Sequence, residues 1–383
     1  MNYKYFDHAA TTAVDEEVLK EMIPYFSIQY GNASSLYTIG RNSKRAIEES
    51  RDKIAKEINC KRKEIYFTSC GSESDNLAIK GVAYANRKKG NHIITSKIEH
   101  PAVLNTCKTL EKQGFEVAYL NVDKDGKILL EELESKIKEN TILITIMFAN
   151  NEIGTIQDIK KIGEIAKKHN IIFHTDAVQA VGNVKIDVKE LNINMLSMSA
   201  HKFYGPKGMG ALYVQEGIEF EKIQDGGHQE KDKRAGTENV AGIVGMAKAI
   251  ELVYKDFEIK NKYLKDLRDY YITKVFEKIP DVKLNGHKTD RLPGNANISF
   301  SGIEGEALLL KLDEKGIFAS SGSACSSGSP MPSHVLLAIG LQQDLAYGTL
   351  RASFGKENTK DDVDYFVDNL AEIVSSLRNN ANI

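Results

Sequence analysis

The sequence predicts an α/β fold, a mostly parallel central sheet with helices on both faces, joined to a smaller α+β domain. Three observations predict it. From about residue 65 to 215, short β-branched or aromatic runs alternate with longer segments of helical period, the pattern that parallel strands joined by helical crossovers produce. A long helical run over 240–278, with few breakers, then leads away from that region. Past Pro280 the order changes to strand, helix, Gly/Ser loop, strand and final helix. A length of 383 residues suits two or three domains. The boundary is expected near residue 255, with a large domain over 13–255 and a small one made of 1–12 and 256–383.

In chain order, the strands of the large domain are expected at 64–69, 92–96, 116–122, 142–149, 171–175, 195–199 and 210–214, with helices at 73–89, 102–112, 130–138 and 159–169. In the small domain the expectation is a strand at 297–301, a helix at 304–315, a Gly/Ser loop at 320–329, a strand at 349–354 and a helix from Lys360. Hydrophobic content of 42% and charged content of 27% are those of an ordinary globular protein. The net charge of -2 gives no electrostatic reason to expect nucleic acid or an anionic membrane as partner. No run approaches the ~18 apolar residues of a membrane span, and the N-terminus lacks a signal-peptide pattern. Four cysteines, at 60, 70, 107 and 325, form no Cys-x-x-Cys pair, so reduced thiols and a cytoplasmic location are expected.

Right-handed crossovers bring the carboxyl ends of parallel strands to one edge, where open α/β sheets bind ligands. The stretch Ile65-Tyr66-Phe67-Thr68-Ser69-Cys70-Gly71-Ser72-Glu73-Ser74-Asp75-Asn76 reads as strand, turn and helix start. Ser72 with Asp75 is a capping-box-like signal, and amides at that helix end would suit a phosphate. His100, in Glu99-His100-Pro101, stands just past a strand end as either a helix-start residue or a ligand contact. Asn150-Asn151-Glu152 places two amides where another strand stops, with turn chemistry as the plain alternative. In Phe173-His174-Thr175-Asp176 an apolar strand delivers a carboxylate to the same edge, with Gln179 following. That carboxylate is costly to bury unless a cationic group meets it. Ser199-Ala200-His201-Lys202 adds a hydroxyl, an imidazole and an amine.

Together these residues match the needs of pyridoxal 5'-phosphate. Its aldehyde takes an amine as a Schiff base, its pyridine nitrogen needs an anion, and its phosphate needs convergent donors. No Gly-x-Gly-x-x-Gly pattern supports a nicotinamide, and the histidines lack metal-ligand spacing, so no metal is expected. Cys325, in Gly322-Ser323-Ala324-Cys325-Ser326-Ser327-Gly328, sits among small residues of a loop able to move and expose it. An ordinary thiol is only a few per cent ionised at pH 7, so a nucleophilic role needs help in deprotonation, with His100 as one source. Arg351, in an expected strand, is either an exposed strand arginine or a bidentate clamp for a carboxylate.

With these residues in order, the chain resembles the NifS/IscS-type cysteine desulfurases of the class V aminotransferase group, and looks closest to the NifS branch. The likeness runs from Tyr5-Phe6-Asp7-His8-Ala9-Ala10-Thr11-Thr12 through Asn150-Asn151-Glu152-Ile153-Gly154 and Arg234-Ala235-Gly236-Thr237-Glu238-Asn239 to Arg351. It implies the fold-type I architecture of pyridoxal-phosphate-dependent transferases, with L-cysteine as substrate, L-alanine as product, and a mobile catalytic loop at about 320–333. It implies Lys202 as the Schiff-base lysine, Asp176 at the pyridine nitrogen, His100 stacked on the ring, Gln179 at the phenolic oxygen and Asn151 beside cofactor and substrate. Gly71, Ser72, Ser199 and His201 should hold the phosphate, with Thr237 supplied by the second subunit of a homodimer. Arg351 should take the substrate carboxylate, and Cys325 the sulfur as a persulfide. An acceptor such as an iron–sulfur scaffold protein, or a pathway to thiolated cofactors, would then receive it. Pro330-Met331 and Leu337 depart from the family pattern near the loop, which bears on partner docking rather than on the chemistry. A selenocysteine lyase or aminotransferase of the same fold is the alternative.

Overall fold

A computed structural model describes residues 3–321 and 332–381. Seven strands form one sheet in the spatial order Ile65–Thr68, Gly210–Val214, Met195–Ser199, Ile172–Asp176, Thr141–Thr145, His92–Ser96 and Glu116–Leu120. From Met195–Ser199 to Glu116–Leu120 every pairing is parallel, and Gly210–Val214 pairs antiparallel with both its neighbours. That one reversal follows from a connection made by a turn rather than by a crossover helix.

Every residue of His92–Ser96, Thr141–Thr145, Met195–Ser199 and Gly210–Val214 is buried, as a sheet covered on both faces requires. Successive residues point to opposite faces and serve different cores. Ile94, Ile144, Phe173 and Leu196 pack with Ile47 and Ile54 of the Thr38–Glu57 helix and with Ile243 and Ile250 of Val240–Lys255. Ile93, Leu143, Met195 and Leu212 pack with Leu77 and Val82 of the Gly71–Ala85 helix and with Val103 and Leu110 of Pro101–Glu111.

The helical run over 240–278 is two helices, Val240–Lys255 and Phe257–Lys278, broken at Asp256. The break lets one stretch serve two cores. Val240–Lys255 packs on the large sheet, whereas Leu267 and Tyr271 of the second helix join Phe6, Ile298, Leu350 and Phe366. That second core lies on an antiparallel sheet of order Thr349–Ser353, Asn295–Phe300, Val282–Asn285. The N-terminal Lys4–Tyr5 strand pairs in parallel with Ile317–Phe318, tying the start of the chain to its last third. Among the described residues, no helix is long and apolar enough to cross a membrane.

One turn is strained. Glu230, Lys231 and Asp232 take φ values of 46°, 57° and 64° in succession, a region that residues with a Cβ visit at a cost. Tertiary contacts hold them there. Buried Arg51 donates from Nη1 and Nη2 to the two carboxylate oxygens of buried Glu230, each at 2.8 Å, and the Phe67 amide donates to the same carboxylate at 2.8 Å. Removing one partner leaves an uncompensated buried charge. Glu230→Ala is therefore expected to lower stability by about 3–5 kcal/mol, read from urea unfolding, whereas Lys61→Ala, at an exposed ion pair, should leave the urea midpoint nearly unchanged.

Candidate active site

The carboxyl ends of the parallel strands open into a cleft of about 350 Å³. Gly71, Ser72, His100, Asn151 and Asp176 line it, as do Gln179, Ser199, His201, Lys202 and Arg351. Residues from the first and last thirds of the chain thus meet in one place. Thr237 does not join them: it lines a separate pocket of about 130 Å³ with Ser69, Arg234 and Asn239. Cys325 lies outside the described residues, but both described flanks of its loop hydrogen-bond to cleft residues. Ser320 and Arg351 exchange backbone hydrogen bonds, and Ser333 Oγ donates to a Glu152 carboxylate oxygen at 2.5 Å.

Lys202 follows the Met195–Ser199 strand in a one-turn helix, Ala200–Lys202. Its Nζ donates to the carbonyls of Ala9 and Ala10, at 2.6 and 2.7 Å. Gln179 Nε2 donates to the same Ala9 carbonyl at 2.9 Å. The N-terminal segment is held there by Thr12, whose Oγ1 donates to the His201 carbonyl at 3.0 Å and accepts from the Tyr204 amide at 2.8 Å. The sequence motif at 5–12 thus forms one wall of the cleft.

Asp176 ends its strand as a buried carboxylate that, among the described residues, accepts only the Val178 amide, at 2.9 Å. Burial pushes its pKa above the usual carboxylate value, against His100, that amide and Lys202, which pull it down. Beside it stands a second buried acid, Asp75, with Oδ1 3.7 Å from His174 Nε2. Burial and the Asp176 charge push Asp75 well above the usual range. The sequence reads Asp75 as half of a capping box with Ser72, and the structure overturns that reading. The Gly71–Ala85 helix begins two residues earlier than expected, its N-cap Cys70 makes no side-chain cap, and Ser72 sits exposed in the first turn. Asp75 instead points inward from that turn.

His100 caps the Pro101–Glu111 helix, its Nδ1 accepting the Ala102 amide at 3.1 Å. Burial lowers its pKa, and with Nδ1 engaged as acceptor the neutral ring carries its proton on Nε2. His201 is also kept neutral, its pKa lowered to about 4 by burial and then by Lys202 and Lys207. Arg351, fully buried, donates to the Asn151 carbonyl at 3.0 Å and to Asp7 Oδ1 at 2.6 Å. Asn150 shapes the neighbouring turn: Oδ1 accepts the Glu152 and Ile153 amides at 2.9 and 3.0 Å, and Nδ2 donates to the Ile98 carbonyl.

These features fit pyridoxal phosphate. Ser199 Oγ is buried and makes no hydrogen bond among the described residues, an orphan that a phosphate oxygen would satisfy. A Cβ at Gly71 would stand 2.6 Å from Val178 Cγ2, so only glycine lets the helix start approach this closely. No cluster of metal-ligating side chains exists among the described residues. The sequence assigns no site role to Asp7, Glu99, Glu152 or His334, and reads Asp75 only as a helix cap. Asp7, Glu99 and Glu152 lie inside quoted motifs; His334, a lone histidine after Pro332-Ser333, carries no signal at all.

Glu99 is fully buried beneath the cleft, Oε1 accepting from Ser96 Oγ at 2.6 Å and from the Met147 amide at 3.0 Å. Burial raises its pKa from 4.5 to about 8. Between those values the folded chain keeps a proton that the unfolded chain has released, so stability falls as pH rises through that window. Glu99→Gln keeps an accepting oxygen and should remove up to about 1.4 kcal/mol per pH unit of that slope, measured by comparing urea midpoints of the two proteins at about pH 5 and pH 8.

The class-V aminotransferase family matches residues 4–366. A cysteine desulfurase IscS of Clostridium botulinum is 55% identical over 376 residues, covering 98% of this chain and 95% of the relative. Among solved structures, a NifS-like protein superposes with a TM-score of 0.92 at 39% identity, over 98% of this chain and all of the other. The structure of SspA in complex with cysteine gives a TM-score of 0.83 at 39% identity, over 92% and 98% of the two chains. On its own residues and on these likenesses, the chain belongs to the class-V aminotransferase family and, within it, to the cysteine desulfurases.

Proposed function

We propose that the protein converts L-cysteine to L-alanine and carries the sulfur away on Cys325. The observation that carries this reading is the convergence of an amine, a buried carboxylate, an imidazole and a buried guanidinium on one cleft, with both flanks of the Cys325 loop anchored to its wall. Asp176 would meet the pyridine nitrogen, a cationic partner that offsets its burial. His100 would cover the ring, Gln179 the phenolic oxygen, and Gly71, Ser72, Ser199 and His201 the phosphate. Bound there, pyridoxal phosphate supplies an electrophilic carbon for the substrate's amine and a sink for the electron pair released at Cα.

The chain's own groups do the rest. Arg351 takes the substrate carboxylate, with Asn151 beside it, and fixes which face of Cα looks toward Lys202. The Lys202 amine removes the α-proton. The His100 Nε2–H is a proton donor in the same cleft. The Cys325 thiolate attacks the substrate sulfur: an S–S bond forms, the Cβ–S bond breaks, and its electron pair stays with the carbon fragment, which takes one proton at Cβ, regains one at Cα from the Lys202 ammonium, and leaves as alanine. The persulfide then passes to an acceptor such as an iron–sulfur scaffold or an enzyme of cofactor thiolation.

A homodimer suits the surface. Phe26, Ile28, Tyr30 and Leu36 are 64%, 70%, 69% and 89% exposed, an apolar patch that a second copy would cover. Thr237, exposed and away from its own cleft, would then serve the partner's phosphate. Residues 13–255 form a large cofactor-binding unit on this reading, and 1–12 with 256–383 a small one carrying the thiol loop. The free thiols of Cys60, Cys70 and Cys107 suit the reducing cytoplasm.

The test is direct. Holoprotein mixed with L-cysteine and a reductant should yield alanine and sulfide in equal amounts. Lys202→Ala should lose both the visible band of the bound cofactor and alanine formation. Cys325→Ala should keep the band and lose alanine; alanine formation at the wild-type rate in that variant would instead identify a thiol-independent lyase. Arg351→Lys, which cannot form a bidentate pair, should raise KM for L-cysteine by about 10–100-fold.

A further inference from the structure

Two imidazoles besides His201 concern the substrate end of the cleft, and they present opposite chemistry. His100 spends its acceptor nitrogen on the Ala102 amide. His334 does the reverse: its Nε2 lies 3.0 Å from the Glu99 backbone carbonyl. A carbonyl oxygen only accepts, so Nε2 carries the proton, and in the neutral ring Nδ1 is left as a lone-pair acceptor. His334 lines the same cleft as Arg351 and Lys202. Its position is fixed from two sides, by that hydrogen bond and by Ser333, whose Oγ donates to buried Glu152 and accepts the Val335 amide at 3.1 Å.

On the desulfurase reading, the substrate arrives with its α-amino group as an ammonium. That group must shed a proton before its lone pair can attack carbon. We propose that His334 Nδ1 accepts this proton. The N–H bond of the ammonium breaks, its electron pair remains on nitrogen as the nucleophile, and an Nδ1–H bond forms. The ring becomes a cation beside the Glu152 carboxylate, which stabilises it.

The titratable groups near the ring are Glu99, whose carbonyl it binds, His100 at the start of Pro101–Glu111, Glu152 on the 150–154 turn and Arg351 on Thr349–Ser353, the last three lining the same cleft. Lys202 and Asp176 stand across the cleft. Among them, Lys202 is committed to the α-proton and His100 presents N–H. His334 lines the cleft together with His100, Glu152 and Arg351.

The experiment uses holoprotein and the His334→Gln variant. Glutamine's amide can still donate to the Glu99 carbonyl, so the segment stays in place, and an unchanged visible band checks that the cofactor site is intact. On mixing with L-cysteine, the first spectral change should slow by about 100-fold or more in the variant, and the fall in its rate toward acid pH should flatten. Added imidazole should restore part of the rate. Independently of turnover, nitrogen NMR of the histidine-labelled wild type should find the His334 proton on Nε2. A variant with the wild-type rate and acid limb, or a proton resting on Nδ1, overturns the inference. If wild-type protein forms alanine while the variant is unaffected, this inference alone fails; if wild-type protein forms none, the desulfurase reading falls with it.

Discussion

A carboxylate buried at the end of the Ile172–Asp176 strand is the constraint on which the rest of the site depends. Side chain 176 leaves water without a full set of donors, and burial alone would leave it protonated. The surroundings counter this with an amine on the neighbouring strand's exit and an imidazole at a helix start, both of which favour its charged form. They also add to the strain, because Asp75 stands close enough for the two acids to oppose each other's ionisation. An arrangement so poorly satisfied within the chain makes sense when a cationic ring nitrogen completes it.

Closure of the site is a matter of chain topology. The first dozen residues pair with the strand at Ile317–Phe318 and then lay the Ala9 and Ala10 carbonyls against Lys202. Asp7, on the same segment, binds Arg351. The N-terminal segment therefore links Lys202 to Arg351, the two groups proposed to handle the cofactor and the substrate carboxylate. A buried guanidinium with this much local support is held in one orientation, which is what a clamp that selects a reacting face requires.

Much of the fold was legible because its strands are short, apolar and separated by helix-period segments. Gly210–Val214 matches its expected limits, since Gly208 and Gly217 bound it, and Met195–Ser199 matches its own, an apolar run between Asn194 and the polar His201-Lys202 pair. The 142–149 strand was read too long: its ladder stops at Thr145, although Ile146 and Phe148 still donate to carbonyls of the neighbouring strand. Apolar composition does not reveal where a ladder loosens. The Ser72-Asp75 spacing misled for a similar reason. Three-residue spacing places a side chain near a helix start, but only the packing of that helix on the sheet turns Asp75 inward. His334 was invisible because its meaning lies in a carbonyl 235 positions away.

By itself, the sequence determined which chemical groups stand at the ends of strands, because alternation and punctuation place those ends. An amine, an acid, an imidazole and two amides at successive strand exits were enough to name the cofactor class. Tertiary structure alone decided which nitrogen of His100 and of His334 holds the proton, which acids are pushed toward their neutral form and which loop flanks touch the cleft. Those properties come from desolvation and from single hydrogen bonds between distant segments, and neither is written in local composition.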